Sequence, residues 1–138
     1  MSSYLKIFLL CLGLGSCSFI NFDAPRSMDN ACSILKQRPS FNRAFQKTKR
    51  KWGAPVHVQM AILDQESKFI PNAKPPRKYF LGIIPMGRQS SAYGYAQALD
   101  GTWADYKKSS GRRFASRSNI HDATDFMGWY MQESRRRL

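Results

Sequence analysis

The chain has 138 residues, 43% of them hydrophobic and 13% aromatic, which suffices for one domain of ordinary size. Its 9 Gly and 7 Pro exclude collagen-like and low-complexity readings, and three cysteines are too few for a disulfide framework. Charge is the outlier: 22 Lys+Arg against 9 Asp+Glu give a formal +13. Such a surplus points to an anionic partner, whether nucleic acid, acidic lipid headgroups or a carboxylate-bearing polymer.

Residues 1–16 read as an export leader. Lys6 precedes the apolar run Ile7 to Leu14, too short for the ~20 residues of a membrane-spanning helix but suited to a signal peptide. Leu14-Gly15-Ser16-Cys17 resembles a bacterial lipobox, in which Cys17 carries the lipid and becomes the new N-terminus. Ser18 is then what outer-membrane sorting favours. A plain signal or an uncleaved anchor with a chance cysteine is the alternative. Residues 17–28 read as a tether, leaving 29–138 as the domain. Cys32, the remaining free thiol of the mature chain, is expected to be a buried small apolar residue.

Asp29 or Asn30 can cap a short helix through Lys36, with Ala31, Ile34 and Leu35 on one face and Pro39 beyond its end. Ser40 opens a second helix with an apolar stripe of Phe41, Ala44 and Phe45. Lys47, Lys49, Arg50 and Lys51 face water, and Gly53 and Pro55 end it. From Val56 to Ser67 the pattern is even. Val56, Val58 and Met60 alternate as in a strand, whereas Met60 to Leu63 with Phe69 form a helical face. Residues 70–99 hold prolines at 71, 75, 76 and 85 and read as a long loop with a small hairpin around Tyr79 to Ile84. Asp100 or Thr102 can cap a helix carrying Trp103 and Tyr106, closed by Gly111. Asp122 is expected to cap the last helix, where Phe126, Trp129, Tyr130 and Glu133 share helical spacing and Arg135 to Arg137 complement its negative end.

Two segments carry candidate chemistry: Glu66-Ser67-Lys68-Phe69, and Gly94-Tyr95-Ala96-Gln97 ahead of an aromatic helix. In this order they resemble the lysozyme-like lytic transglycosylases, whose motifs are Glu-Ser-x-aromatic and Gly-x-x-Gln. Asn119-Ile120 is similar to the Asn-Ile that precedes a later helix in that family. The resemblance covers about Val56 to Tyr130. It implies a mainly α, lysozyme-like helical domain with a loop or hairpin beside a cleft, and it tips Val56 to Ser67 towards helix.

The resemblance further implies an enzyme that cuts peptidoglycan glycan strands, with Glu66 as the single acid and base and a 1,6-anhydro product. A carboxyl holds its proton near neutral pH when burial raises its pKa, and Leu63 and Phe69 are expected to supply that wall around Glu66. The bland reading of Glu66 is a solvated helix-end carboxylate paired with Lys68 or Arg77. Ser67 would steady the glutamate, while Gln97 and the Gly94 backbone would line sugar subsites. Tyr95 would stack on a sugar or sit in the core. Trp103, Trp129 and Tyr130 are expected in the core. Asp64 lies about 200° from Glu66 on a helix and should face elsewhere. Arg77, Lys78 and Arg88 would steer the polymer. His57 and His121 are too isolated for a metal site, and neither a cofactor nor nucleic acid is expected.

The separation from Glu66 to Gln97 is longer than in compact members, with an insertion at Pro71 to Ser91. The family's third motif, an Ala-Tyr-Asn-Ala-Gly segment, has no match, so the chain is expected to be a truncated or degenerate member. Expected partners are glycan strands and, through a lipid on Cys17, the periplasmic face of the outer membrane. The alternative is a non-catalytic basic lipoprotein that binds cell-wall glycan or acidic lipid.

Overall fold

A computed structural model of the chain describes residues 24–138. The expected leader, Cys17 and most of the expected tether lie outside the described residues. The described end of that tether is docked. Pro25 is buried, and Arg26 exchanges hydrogen bonds of 3.0 and 2.9 Å with the Gln37 side chain.

Among the described residues the order is α1 (Ala31–Gln37), α2 (Pro39–Trp52), α3 (Val56–Ser67), β1 (Arg77–Phe80), β2 (Ile84–Arg88), α4 (Asp100–Ser110) and α5 (Ile120–Arg136). The domain is mainly α, as the sequence pattern and the resemblance imply. Asn30 caps α1 by accepting from the Ser33 N–H at 3.0 Å. Pro39 starts α2, where a missing N–H costs nothing. Gly53, at φ 72, closes α2 by donating its N–H to the Lys49 carbonyl.

The ambiguous segment is helix α3, because its buried residues are Gln59, Met60, Leu63 and Ser67, a four-residue rather than a two-residue spacing. Val56 and Val58, the first two members of the alternating set, are only half-buried. Two further expectations about caps are corrected. Asn119, not Asp122, caps α5, accepting from the His121 and Asp122 N–H groups at 2.9 and 3.3 Å. Leu99 holds the cap position of α4 without a side-chain bond, so neither Asp100 nor Thr102 caps it. Cys32 is exposed, because α1 turns Ile34 inward and leaves Ala31 and Cys32 outside.

The core lies where α2 packs against α5. Gly128 makes that approach possible, since a Cβ there would meet Trp52 Cδ1 at 2.3 Å. One aromatic cluster joins Trp103, Tyr106, Phe126 and Trp129. A second sets Phe41 against Phe45, Phe69 and Tyr95. Between α2, α4 and α5 sits Asp125, its side chain 4% exposed. It accepts from Lys51 Nζ at 2.9 Å, Trp52 Nε1 at 2.8 Å and the Tyr106 hydroxyl at 2.8 Å, and pairs with Arg112 at 3.2 Å. Burial pushes the Asp125 carboxyl up, but the bonds from Trp52, Lys51 and Tyr106 outweigh it and leave the group below its ordinary value. The Tyr106 phenol is raised, by burial and by its bond to that carboxylate.

The expected hairpin is present. Its strands β1 and β2 are antiparallel, with Arg77 opposite Arg88 and Phe80 opposite Ile84, and every residue of both is exposed.

Candidate active site

A groove of about 350 Å³ runs along the domain between the end of α3, the segment 96–99 and α5. Glu66 stands on one side and Gln97 on another. Ile62, Phe126, Met127, Tyr130 and Met131 form the apolar wall. The two residues of the paired motifs are therefore brought together across 31 positions of sequence.

Glu66 is placed by the way α3 stops. Lys68 (φ 52) and Phe69 (φ 60) both take left-handed backbone, which L side chains enter at a cost of order 1–3 kcal/mol each. The Lys68 N–H donates to the Asp64 carbonyl and the Phe69 N–H to the Leu63 carbonyl, closing the helix directly behind the acid. Stacking of buried Phe69 on Phe41, centroids 5.9 Å apart, holds the turn in this form. Leu63 and Phe69 face the core, so they do not wall in Glu66 as expected. The carboxyl is exposed at the groove, and the apolar surroundings come from Ile62 and α5 instead. Glu66 enters no ion pair with a described residue: Lys68 pairs with Asp64 at 3.2 Å. Asp64 faces a different hollow, between α1 and α3, as the helical geometry requires.

The other expected contacts move. Ser67 is buried and donates to the Leu63 carbonyl at 3.2 Å, so it ties down the last turn of α3 instead of touching the glutamate. Tyr95 is buried with its ring edge-on to Phe41 at 5.7 Å, a core position off the groove. Burial raises its phenol, with the charge of Arg38 opposing. Gly94 is needed for a close approach, but to protein. At φ 80, a Cβ there would lie 2.2 Å from the Arg117 carbonyl oxygen. Gln97, at φ 45, donates its amide to the Ala73 and Gly94 carbonyls at 2.9 and 2.8 Å. Its oxygen is the atom left to offer a ligand.

Two residues of the site escape a reading by motif. Tyr130, expected in the core, is 50% exposed and lines the groove, stacked on Phe126 at 5.9 Å. Its i+4 spacing from Phe126 was visible, but which side of the stripe faces an opening was not. Arg117 frames the 91–100 segment by donating to the Ser91 and Ala98 carbonyls at 3.2 and 2.8 Å and pairing with Asp100 at 2.8 Å. No local signal marks it. Arg77 and Lys78 lie on the hairpin, outside the groove lining. Arg88 instead lines a small cleft with Lys74, Tyr93 and Arg117.

The mainly helical domain, with Glu66 at the end of one helix and lining a groove walled by another, is consistent with a lysozyme-like class. A family model described as Transglycosylase SLT domain matches residues 5–138. The chain belongs to that family, a lytic-transglycosylase-type domain whose substrate class is peptidoglycan glycan. Neither a curated protein nor a solved structure gives a match.

Proposed function

We propose that the protein is a lytic transglycosylase that cleaves the β-1,4 bond between N-acetylmuramic acid and N-acetylglucosamine, with Glu66 as its only acid and base. One observation carries the reading: Glu66 and Gln97, the distinctive residues of both motifs, line a single groove in a chain of this family.

Glycosidic cleavage needs a proton delivered to the leaving oxygen. A strand laid between Glu66 and Tyr130 excludes water from the carboxyl, the setting in which it can hand a proton over. The bond from the muramyl C1 to that oxygen then breaks. Glu66, now a carboxylate, takes the proton of the muramyl 6-hydroxyl, and that oxygen bonds to C1. The product is a 1,6-anhydro end, no water is consumed, and Glu66 returns to its starting state. The Gln97 oxygen accepts from a saccharide hydroxyl or N-acetyl N–H, and the Tyr130 ring offers a face for a sugar. We place the protein on the periplasmic face of the outer membrane, tethered by a lipid on Cys17.

The test is product chemistry. The full chain is incubated with purified peptidoglycan in 18O-labelled water and the muropeptides are read by mass spectrometry. Anhydro ends without label are expected. Labelled reducing ends would make the protein a hydrolase. A second reading, a basic protein that binds glycan without cutting it, is favoured by the exposure of Glu66 and the +13 charge. It predicts sedimentation with sacculi that is lost at high salt and no new ends.

A further inference from the structure

The hairpin stands apart from everything the groove requires. Its apolar residues Tyr79, Phe80, Leu81, Ile83, Ile84 and Met86 are all more than half exposed, Leu81 at 79% and Ile83 at 81%. An isolated two-stranded ribbon is marginal in water unless a face packs against another element, and here every residue of both strands is exposed. A patch of this kind marks a binding surface.

The charge around it says what it binds. Between Glu66 and Asp100 the sequence has no carboxylate side chain, yet it carries Lys68, Lys74, Arg77, Lys78 and Arg88. Of these, Arg77, Lys78 and Arg88 sit at the open end of the ribbon, where Arg77 lies opposite Arg88 in the ladder. Like charges placed opposite each other repel, and an anion near that end relieves the repulsion. The turn at the far end, Leu81-Gly82-Ile83, is aliphatic and uncharged.

We propose that the β1–β2 hairpin is a wedge that docks on bilayers with anionic headgroups, its turn among the acyl chains and its three basic residues, Arg77, Lys78 and Arg88, with Lys74 just before it, among the phosphates. The geometry suits one leaflet. From Arg77 to Leu81 the ribbon rises about 13 Å, under half of a ~30 Å hydrocarbon core. Glycan is a poorer occupant, since Leu81, Ile83 and Ile84 offer its hydroxyls no hydrogen bond. A second copy is repelled by +13 charge on each chain. The inference does not depend on cleavage at Glu66.

The test uses the full chain and a readout confined to the hairpin: the rate of trypsin cleavage after Lys78 and Arg88, followed by mass spectrometry. Vesicles of phosphatidylglycerol and phosphatidylcholine are expected to slow both cleavages at least about fivefold, the effect of one basic contact at an anionic surface. Phosphatidylcholine vesicles should not. The double variant Leu81→Ser, Ile83→Ser should lose the protection while keeping the wild-type circular dichroism, since both side chains are already in water. Cleavage unchanged by anionic vesicles overturns the proposal, because recruitment by any other segment leaves Lys78 and Arg88 open to the protease. Protection kept in the double variant, or given equally by lipid-free sacculi, also overturns it. No glycan cleavage enters the assay, so its outcome is separate from that of the proposed activity.

Discussion

Replacing Asp125 by asparagine leaves the shape of the side chain and removes its charge at the junction of α2, α4 and α5. Trp52 Nε1 and the Tyr106 hydroxyl both donate to this carboxylate. An amide oxygen can serve only part of that set, while its NH2 faces other donors. Each buried donor left without a partner costs about 1–3 kcal/mol. The cations lose less, because the Lys51 and Arg112 side chains are 44% and 33% exposed and can be rehydrated. Together these give about 3–5 kcal/mol, or a Tm lower by roughly 12–20 °C at about 4 °C per kcal/mol. Thermal and urea unfolding at pH 7 measure it. The sign with pH follows from the lowered carboxyl. The stabilisation is complete above the unfolded value of about 3.9 and is lost as pH falls through the folded one. The gap between wild type and Asp125→Asn should therefore close in acid. A loss under about 1 kcal/mol at pH 7, or a gap that does not narrow as the pH falls below about 3.9, refutes the reasoning.

Gly128→Ala should destabilise by about 1–3 kcal/mol in urea, although alanine is the better helix former, because Trp52 is held by Asp125 and cannot move off the new Cβ. A stabilised variant would contradict the packing of α2 on α5. Gly94→Ala meets the Arg117 backbone at positive φ and should cost about 2–5 kcal/mol, with loss of glycan cleavage as the 94–99 segment shifts. Equal stability by urea unfolding would contradict that account. Tyr130→Ala should change stability by less than about 1 kcal/mol yet raise the KM for glycan several-fold, since the ring lines the groove and is half in water. An unchanged KM would remove the groove as the binding site.

The helices were legible where one residue type decides a local question. Asn30, Pro39, Gly53 and Gly111 bound their elements through caps and turns. Phe41, Ala44 and Phe45 are buried as their spacing requires. The α3 segment was not settled by pattern, because Val56 and Val58 supply strand-like alternation on a surface that tertiary packing leaves half-open. Glu66 and Gln97 were legible as a pair from their motifs. Their neighbours were not, since Ser67, Gly94 and Tyr95 satisfy bonds and contacts with Leu63, Arg117 and Phe41, which only the folded chain brings to them. Asp125 was invisible in the sequence for the same reason: its partners lie as far as 74 residues away.

The most direct measurement compares Glu66→Gln with Asp64→Asn in the rate of anhydro-end formation on purified peptidoglycan. Glu66 makes no ion pair among the described residues and lines the groove, whereas Asp64 pairs with Lys68 and faces another hollow. Glu66→Gln should lower the rate by at least about 10²-fold with an unchanged Tm, and Asp64→Asn should stay within about twofold. Wild-type turnover by Glu66→Gln, or its loss in Asp64→Asn, would contradict a single acid and base at this position.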